Sequence, residues 1–308
     1  MMNILNMMFT TLIVLISIAF FTLMERKIIS YSQNRKGPNK TNMMGIIQPI
    51  SDALKLMNKE INLNYKSNFL MFFISPMFNI LCSLAMWFSF PSVYTFKFMK
   101  MSILFIMTTM SVNIIIIMTM SWSSNSNYSM LGMMRSIAQM ISYEINFMFI
   151  ILTCMNMSEQ TNLEMTQKMM KWSPLSLFMP TLMIMWMIII LAETNRTPFD
   201  FSEGESEIIS GFNIEFSGKS FMFLFLAEYS SILLMSLLTS SLFSTIMMKT
   251  TWFIMFYMTI CFVFIWTRTT LPRFRYDKLM KMNWHKILPM TMYLLMISFL
   301  TKVFYTKN

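Results

Sequence analysis

The chain has 308 residues, of which 56% are hydrophobic and only 12% are charged, and its net charge is +10. One soluble core could not bury so much apolar surface, so the composition excludes a soluble globular protein and indicates an integral membrane protein. The apolar runs lack the alternation of membrane strands, which excludes a β-barrel.

Eight apolar stretches are each long enough to cross a bilayer as a helix, which takes about 20 residues. The stretches cover residues 4–24, 69–90, 101–122, 137–157, 174–191, 221–247, 251–266 and 288–304. They predict an all-α, polytopic transmembrane helix bundle that forms a single membrane domain over residues 1–308. We interpret the first stretch as a retained helix, because it has neither the basic segment nor the cleavage site of a signal peptide.

The basic residues are distributed unevenly between the two sides of this predicted bundle. Of the 24 Lys and Arg residues, 17 lie in the odd-numbered loops. Because loops on the side of synthesis carry the excess of Lys and Arg, the odd-numbered loops are expected there, with both termini opposite. Charges held this close to a membrane do not indicate nucleic acid binding.

The first loop combines a basic beginning with a short amphipathic segment. Lys27, Lys36 and Lys40 suit a membrane-edge anchor, in which long side chains reach the lipid headgroups. Residues 45–60 place five apolar side chains at helical spacing, namely Ile46, Ile47, Ile50, Leu54 and Met57. The segment is too short to span, so it predicts an interfacial helix that forms a wall for a lipophilic substrate. Simple packing on the bundle is an equally good interpretation of the pattern.

Two carboxylates interrupt predicted spans, Glu144 in the fourth and Glu228 in the sixth. A lone carboxylate near the bilayer centre costs about 2.5 to 3.5 kcal/mol on insertion scales. Each should therefore face the bundle interior and be protonated or paired. Proton handling is the favoured role, and a structural hydrogen bond is the alternative.

The densest acidic segment follows the fifth apolar stretch. Of the 14 acidic residues of the chain, six lie between residues 192 and 216: Glu193, Asp200, Glu203, Glu205, Glu207 and Glu215. Crowded carboxylates near apolar walls resist ionisation and can exchange protons near neutrality. A solvated acidic loop is the commoner fate of such a run. The interleaved Phe199, Phe201 and Phe216 favour a loop that folds back to line a cavity.

The sequence offers no site for a metal or a redox cofactor. Cys82, Cys154 and Cys261 each lie alone in an apolar span, and His285 has no partner in sequence. The 6 glycines form no nucleotide-binding pattern. Any redox cofactor must therefore belong to a partner subunit.

The last basic loop, residues 267–286, contains Arg273 and Arg275 between aromatic residues. Three roles suit these arginines: binding lipid headgroups, pairing with the acidic segment, and docking an acidic partner surface. The sequence does not decide between them.

Four motifs in the same order as in a known family are spread over the chain: ERK, RKGPN, AETNRTPFDFSEGESEIISGFN and LPRFRYDKLM. Together they resemble the family of mitochondrial NADH:ubiquinone oxidoreductase chain 1, a membrane subunit of respiratory complex I. The resemblance covers essentially the whole chain, and the AETNRTPFD run is very specific. The 42 methionines also suit an organellar gene.

The resemblance implies residues for a ubiquinone chamber. Arg26 and Asp52 would line the quinone passage, with Phe225 as an apolar contact. Arg35, Arg273 and Arg275 would support its mouth and the matrix-side interface. A proton relay would comprise eight carboxylates: Glu193, Asp200, Glu203, Glu205, Glu207, Glu215, Glu228 and Glu144.

The resemblance also implies partners and a location. Ubiquinone would be the substrate, and NADH, FMN and iron–sulfur clusters would lie in partner subunits. The partners would be peripheral-arm subunits at the quinone site, antiporter-like membrane subunits and lipids, all at the mitochondrial inner membrane. Two other hypotheses remain: a free-standing proton-coupled secondary transporter, for which no internal repeat is found, and a structural anchor, which leaves Glu144 and Glu228 unexplained.

Overall fold

The computed structural model describes residues 2–41, 43–60, 65–90, 100–170, 179–201, 211–213, 215–246 and 250–307. Every regular element in these ranges is helical, which confirms the all-α fold. The α-helices are α1 Met2–Ser32, α2 Gln48–Met57, α3 Phe69–Met86, α4 Ser102–Ser124, α5 Asn127–Ser158, α6 Leu163–Met170, α7 Pro180–Glu193, α8 Gly218–Phe243, α9 Thr251–Thr270, α10 Tyr276–Met282 and α11 Leu288–Lys307.

All eight predicted spans coincide with helices. Seven helical segments in the described ranges are long and apolar enough to cross a membrane, and the last of them combines α10, a π-helical turn at Asn283–Ile287 and most of α11. The eighth predicted span corresponds to the shorter apolar helix α7. The first residues predicted for that span, 174–178, lie outside the described part of the chain.

Several helices extend beyond the apolar stretch that predicted them. α1 continues to Ser32, eight residues past the predicted end, and therefore carries the ERK motif within a helix. α5 begins at Asn127, ten residues before the predicted start. Hydropathy locates the lipid-facing part of a helix, whereas the helix itself can continue into the polar region or into the protein.

α5 and α8 form the centre of the bundle. In each of them 56% of the most apolar 18-residue window is buried, compared with 17% in α1. α8 packs against α1, α3 and α9, whereas α5 packs against α4, α7 and α11. Trp186 of α7 stacks on Phe147 of α5 at a centroid distance of 5.1 Å, and both rings are fully buried. α5 and α8 therefore each contact several other helices and connect parts of the chain that are distant in sequence.

The predicted amphipathic helix of the first loop is present as α2. It has Pro49 in its first turn, where a missing backbone N–H is tolerated. It packs against α1 and α8. The side chains of Ile50 and Leu54 are each 55% exposed, so the apolar face points away from this chain.

Candidate functional site

A cavity of about 1200 Å³ lies between α1, α2, α8 and the end of α9. Ile18, Phe225 and Leu226 contribute apolar walls. Arg26 and Asp52 contribute charged groups, and the loop after α1 closes the perimeter. Apolar walls with a few convergent polar groups are typical of sites that bind small lipophilic molecules.

Arg26 and Asp52 form an ion pair on one side of the cavity. Nη1 of Arg26 lies 2.5 Å from Oδ2 of Asp52, and their side chains are 56% and 33% exposed. Gln48 donates from Nε2 to Oδ1 of Asp52 at 2.9 Å, and Thr41 donates to Gln48 at 3.0 Å. Asp52 is therefore held by two donors, and the pair can be approached from the cavity.

Glu25, next to Arg26 in sequence, forms a second and deeply buried charged site. Its side chain is only 7% exposed. It accepts hydrogen bonds from Tyr229 Oη at 2.6 Å and from Nη1 of Arg196 at 3.4 Å. Arg268 also donates to the same carboxylate from Nη1. One carboxylate thus joins α1, the loop after α7, α8 and α9, and we call these four residues the Glu25 network.

Arg196 is the member of the Glu25 network that comes from the acidic loop. Its side chain is 15% exposed, and its guanidinium lies 4.6 Å from the ring centroid of Tyr229. Burial alone would lower the pKa of Arg196, but the neighbouring Glu25, with Tyr229 and Glu228, raises that pKa above its ordinary value. Arg196 therefore stays positively charged, and its guanidinium group places a positive charge between the cavity wall and the loop.

The loop that carries Arg196, residues 194–201, is packed into the protein. Phe199 and Phe201 are each 3% exposed, and the Phe199 ring stacks on Phe274 at 5.7 Å. The backbone N–H of Phe274 donates to Pro198 O at 3.0 Å. Asp200 pairs with Nη2 of Arg273 at 3.2 Å. The described part of the acidic loop is therefore a buried segment that contacts the last basic loop.

Glu193 and Glu144 lie behind this loop. Glu193 ends α7 and is 6% exposed, and it is close enough to Glu144 of α5 for electrostatic interaction. Within the described residues, Glu193 Oε2 and Tyr143 Oη have no hydrogen-bond partner. A buried polar atom without a partner is unfavourable, so this part of the interior is suited to water or to a proton donor.

The predicted quinone-site residues separate into two groups. Arg26, Arg35, Asp52 and Phe225 line the cavity. Arg273 and Arg275 do not line it, because Arg273 pairs with Asp200 and Arg275 pairs with Asp277 at 3.1 Å.

The predicted relay carboxylates are also found in different surroundings. Glu228 of α8 and Glu215 are half-buried. Glu228 is close enough to Arg196 for electrostatic interaction. Glu203, Glu205 and Glu207 lie outside the described residues.

Most of the Glu25 network was not predicted from the sequence. Glu25 stands beside the basic residues Arg26 and Lys27, and a segment of this kind is typical of a membrane-edge anchor. Its partners Arg196, Tyr229 and Arg268 lie 171 to 243 residues further along the chain. One signal was available: a carboxylate at the end of an apolar stretch needs a partner if the helix continues.

No group of three or more His, Cys, Asp or Glu residues in the described ranges is arranged to hold a metal ion. Cys154 and Cys261 are buried and Cys82 is half-buried. The chemistry that the described residues offer is therefore that of carboxylates, guanidinium groups and hydroxyl groups beside an apolar cavity.

The fold and the site define a polytopic α-helical membrane protein in which an apolar cavity adjoins a buried network of charges. A sequence model of the NADH dehydrogenase family matches residues 5–299. NADH-ubiquinone oxidoreductase chain 1 of Aedes aegypti is 43% identical over 94% of this chain and 93% of its own length. The corresponding proteins of Locusta migratoria and Artemia franciscana are 43% and 44% identical over 94% and 90% of this chain, and over 93% and 91% of their own lengths.

The chain therefore belongs to the NADH dehydrogenase family. The names of these relatives describe one numbered chain of an oxidoreductase, so the family is one of enzyme subunits. Together with the apolar helices, this makes the chain a membrane subunit of an oxidoreductase.

Proposed function

We propose that this chain forms much of the ubiquinone-binding chamber of respiratory complex I and the first part of the path that couples quinone reduction to proton translocation. The observation that carries the proposal is the cavity of about 1200 Å³, whose lining includes both the Arg26–Asp52 pair and three residues of the Glu25 network, Glu25, Tyr229 and Arg268. Ubiquinone is the substrate that the names of the relatives specify for those proteins.

The walls of the cavity suit a quinone. The apolar side chains of Ile18, Phe225 and Leu226 match an isoprenoid tail and a ring, and Arg26 can donate to a ring carbonyl oxygen. Asp52 holds Arg26 in position from the side of α2. Since quinone reduction takes up two protons, a group that can donate a proton is needed close to the ring, and the phenol of Tyr229 lies in the cavity lining.

The charged residues next to the cavity also support a route by which a change of charge at the quinone is transmitted to the acidic residues behind it. Arg196 interacts with Glu25 at the cavity and with Glu228 on α8. Asp200 lies in the same loop as Arg196, and Glu193 lies three residues before Arg196, close to Glu144. A change of charge at the quinone would alter the titration of coupled carboxylates along this route. Glu203, Glu205, Glu207 and Glu215 would continue the path towards the antiporter-like subunits.

The location and the partners follow from the same proposal. The chain would form a single domain within the mitochondrial inner membrane. Its odd-numbered loops, which carry 17 of the 24 basic residues, would lie on the matrix side. Peripheral-arm subunits would supply NADH, FMN and iron–sulfur clusters. In this arrangement Arg35, Arg273 and Arg275 would support the mouth of the chamber and the contact with those subunits.

Replacement of Asp52 by Asn in the assembled complex tests the chamber. Arg26 loses the carboxylate that positions it, so we expect quinone-linked NADH oxidation to fall by about tenfold, as for other small displacements of a group at a reacting centre. NADH oxidation with an artificial acceptor should stay unchanged, because it does not require the quinone site. Steady-state rates with both acceptors provide the measurement.

Glu164→Gln is the matched control, because it removes a carboxylate from an ion pair of similar exposure, with Lys168 at 3.1 Å, outside the cavity lining. It should leave both rates unchanged. Unchanged quinone kinetics in Asp52→Asn would remove Asp52 from the site and contradict the proposed chamber.

A further inference from the structure

One polar side chain outside the cavity and outside the acidic residues makes two unusual contacts. Gln139 of α5 is completely buried. Its Nε2 lies 2.9 Å from the carbonyl oxygen of Ala192 and 2.9 Å from that of Phe199. The first carbonyl belongs to the last turn of α7, and the second belongs to the buried loop after it, residues 194–201. A single amide therefore closes this loop against the central helix.

The chemistry of the contact requires an amide. A primary amide has two N–H bonds and can donate to two carbonyl oxygens at once. An ionised carboxylate only accepts, and an apolar side chain of the same size donates nothing. Each carbonyl oxygen also accepts from a nearby backbone N–H, that of Asn195 to Ala192 O at 3.3 Å and that of Phe201 to Phe199 O at 3.1 Å. Gln139 therefore adds a second hydrogen bond at each of these two positions and connects both to α5.

Neighbouring residues of α5 complete the contact surface. Asn195 donates from Nδ2 to the sulfur of Met140 at 3.7 Å, and the ring of Tyr143 lies 6.2 Å from that of Phe199. Inside the loop, the N–H of Phe199 donates to Arg196 O at 2.8 Å and the N–H of Arg196 donates to Leu191 O at 3.1 Å. The backbone on both sides of Arg196 is thus fixed relative to α5.

We infer that Gln139 is a positioning residue that holds the end of α7 and the following loop against α5, so that Arg196 reaches Glu25 beside the cavity while Glu193 stays near Glu144. The inference rests on the proposed function, because it assigns Gln139 to the coupling route and not to quinone binding. Loss of the two hydrogen bonds frees the loop from α5. The distance between Arg196 and Glu25 is then no longer fixed, although the cavity lining keeps all its residues.

The first measurement is quinone-linked turnover of the assembled complex with Gln139→Met. Methionine has a similar size and donates no hydrogen bond, so a role in packing alone predicts native behaviour. We expect the turnover number to fall by about tenfold, as for other small displacements of a reacting group. The Michaelis constant for a short-chain quinone should stay within about twofold, because the binding cavity is unchanged. NADH oxidation with an artificial acceptor should not change.

Asn156→Leu is the matched control. Asn156 is another amide of α5 and donates from Nδ2 to Ser298 Oγ of α11 at 3.0 Å, away from the loop. Its replacement also removes an interhelical hydrogen bond, but it should leave the turnover number near the native value. An equal loss of turnover in both variants would show that any weakened contact of α5 has this effect, and would overturn the inference.

The second measurement reports the loop directly. Thr197 is half-buried and its hydroxyl has no hydrogen-bond partner within the described residues, so Thr197→Cys introduces a thiol at the loop with little change in size. In the assembled complex the new thiol should react slowly with a maleimide. Adding Gln139→Met should increase the labelling rate by about tenfold or more, since local opening exposes the site. An unchanged labelling rate would overturn the inference.

Gln139→Asn provides a measurement if Gln139→Met prevents assembly. It retains the amide but shortens the side chain by one methylene, so the amide cannot reach both carbonyl groups. The labelling rate should then lie above the native rate, and native values of labelling and turnover would also overturn the inference. The outcomes are distinguishable: unchanged kinetics in Asp52→Asn contradict the proposed function, whereas native labelling in Gln139→Met contradicts only the role of Gln139.

Discussion

Two buried polar networks join distant helices in this molecule, and they use opposite chemistry. The Glu25 network combines one carboxylate with two guanidinium groups and a phenol. On the other side of the bundle, Asn146 of α5 donates to Asn283 Oδ1 at 2.5 Å, and Asn283 donates to Ser142 O at 2.9 Å. Thr291 donates to Asn146 Oδ1 at 3.3 Å. This second set, the Asn146–Asn283 network, contains no ionisable group.

The two networks differ in how they respond to protonation: the neutral one does not change, whereas the charged one does. Neutral amides keep their hydrogen bonds at any proton concentration, so the Asn146–Asn283 network can hold α5 on α11 permanently. Charged groups in a buried site change their mutual energy whenever one of them, or a neighbour, gains or loses a proton. The network beside the cavity is therefore the one that can respond to chemistry there, while the neutral network supplies the fixed frame.

The largest effect is expected from Glu25→Gln. The substitution leaves the cations of Arg196 and Arg268 near one another without the carboxylate that neutralises them. Breaking a buried charge pair in this way costs about 3 to 5 kcal/mol. The thermal transition of the assembled complex, or the amount of assembled complex, should fall strongly. A shift no larger than that of Asn283→Leu, a variant of the neutral Asn146–Asn283 network, would show that charge does not stabilise the Glu25 network.

A smaller effect is expected from Asn283→Leu, which leaves the Nδ2 group of Asn146 without its acceptor. An unsatisfied buried polar group costs about 1 to 3 kcal/mol. The double variant with Asn146→Leu should recover part of this loss, because it removes the unsatisfied amide of Asn146, and Thr291 keeps a partner by donating to Leu288 O at 2.9 Å. Thermal transitions of Asn283→Leu, Asn146→Leu and the double variant provide the test. Additive losses in the double variant would contradict the network.

The contrast also explains what the sequence could predict. The eight spans and α2 were predicted because apolar runs and helical spacing are local properties of the chain. Asp52 and Arg26 were identified through the resemblance, and both line the cavity. The Glu25 network was not predicted, because Glu25 contacts its partners only after the helices have packed together.

The neutral contacts were missed for a related reason. Gln139, Asn146 and Asn283 carry no charge, so they do not stand out in a long polar-poor sequence. Their partners are backbone carbonyl groups or other amides, which no sequence motif marks. α1 was predicted to end before Glu25 because charges usually end a span, whereas the burial of Glu25 against cations lets the helix continue.

The smallest effect is expected for an exposed charge pair between α5 and α11, the two helices that the Asn146–Asn283 network also joins. Glu159, at the end of α5, lies 3.1 Å from Nζ of Lys302 on α11, and its side chain is 61% exposed. Exposed pairs contribute about 0 to 1 kcal/mol, so Glu159→Gln should change the thermal transition very little.

Glu159→Gly sharpens this test, because Glu159 has a positive φ of 56°, a left-handed conformation that glycine adopts without strain. Glycine removes the same ion pair but relieves the backbone, so the transition should stay equal or rise slightly. If Glu159→Gln instead lowers the transition as much as Asn283→Leu does, exposed charge holds α5 on α11 as firmly as the buried amides. The division between a neutral frame and a charged, responsive network would then be wrong.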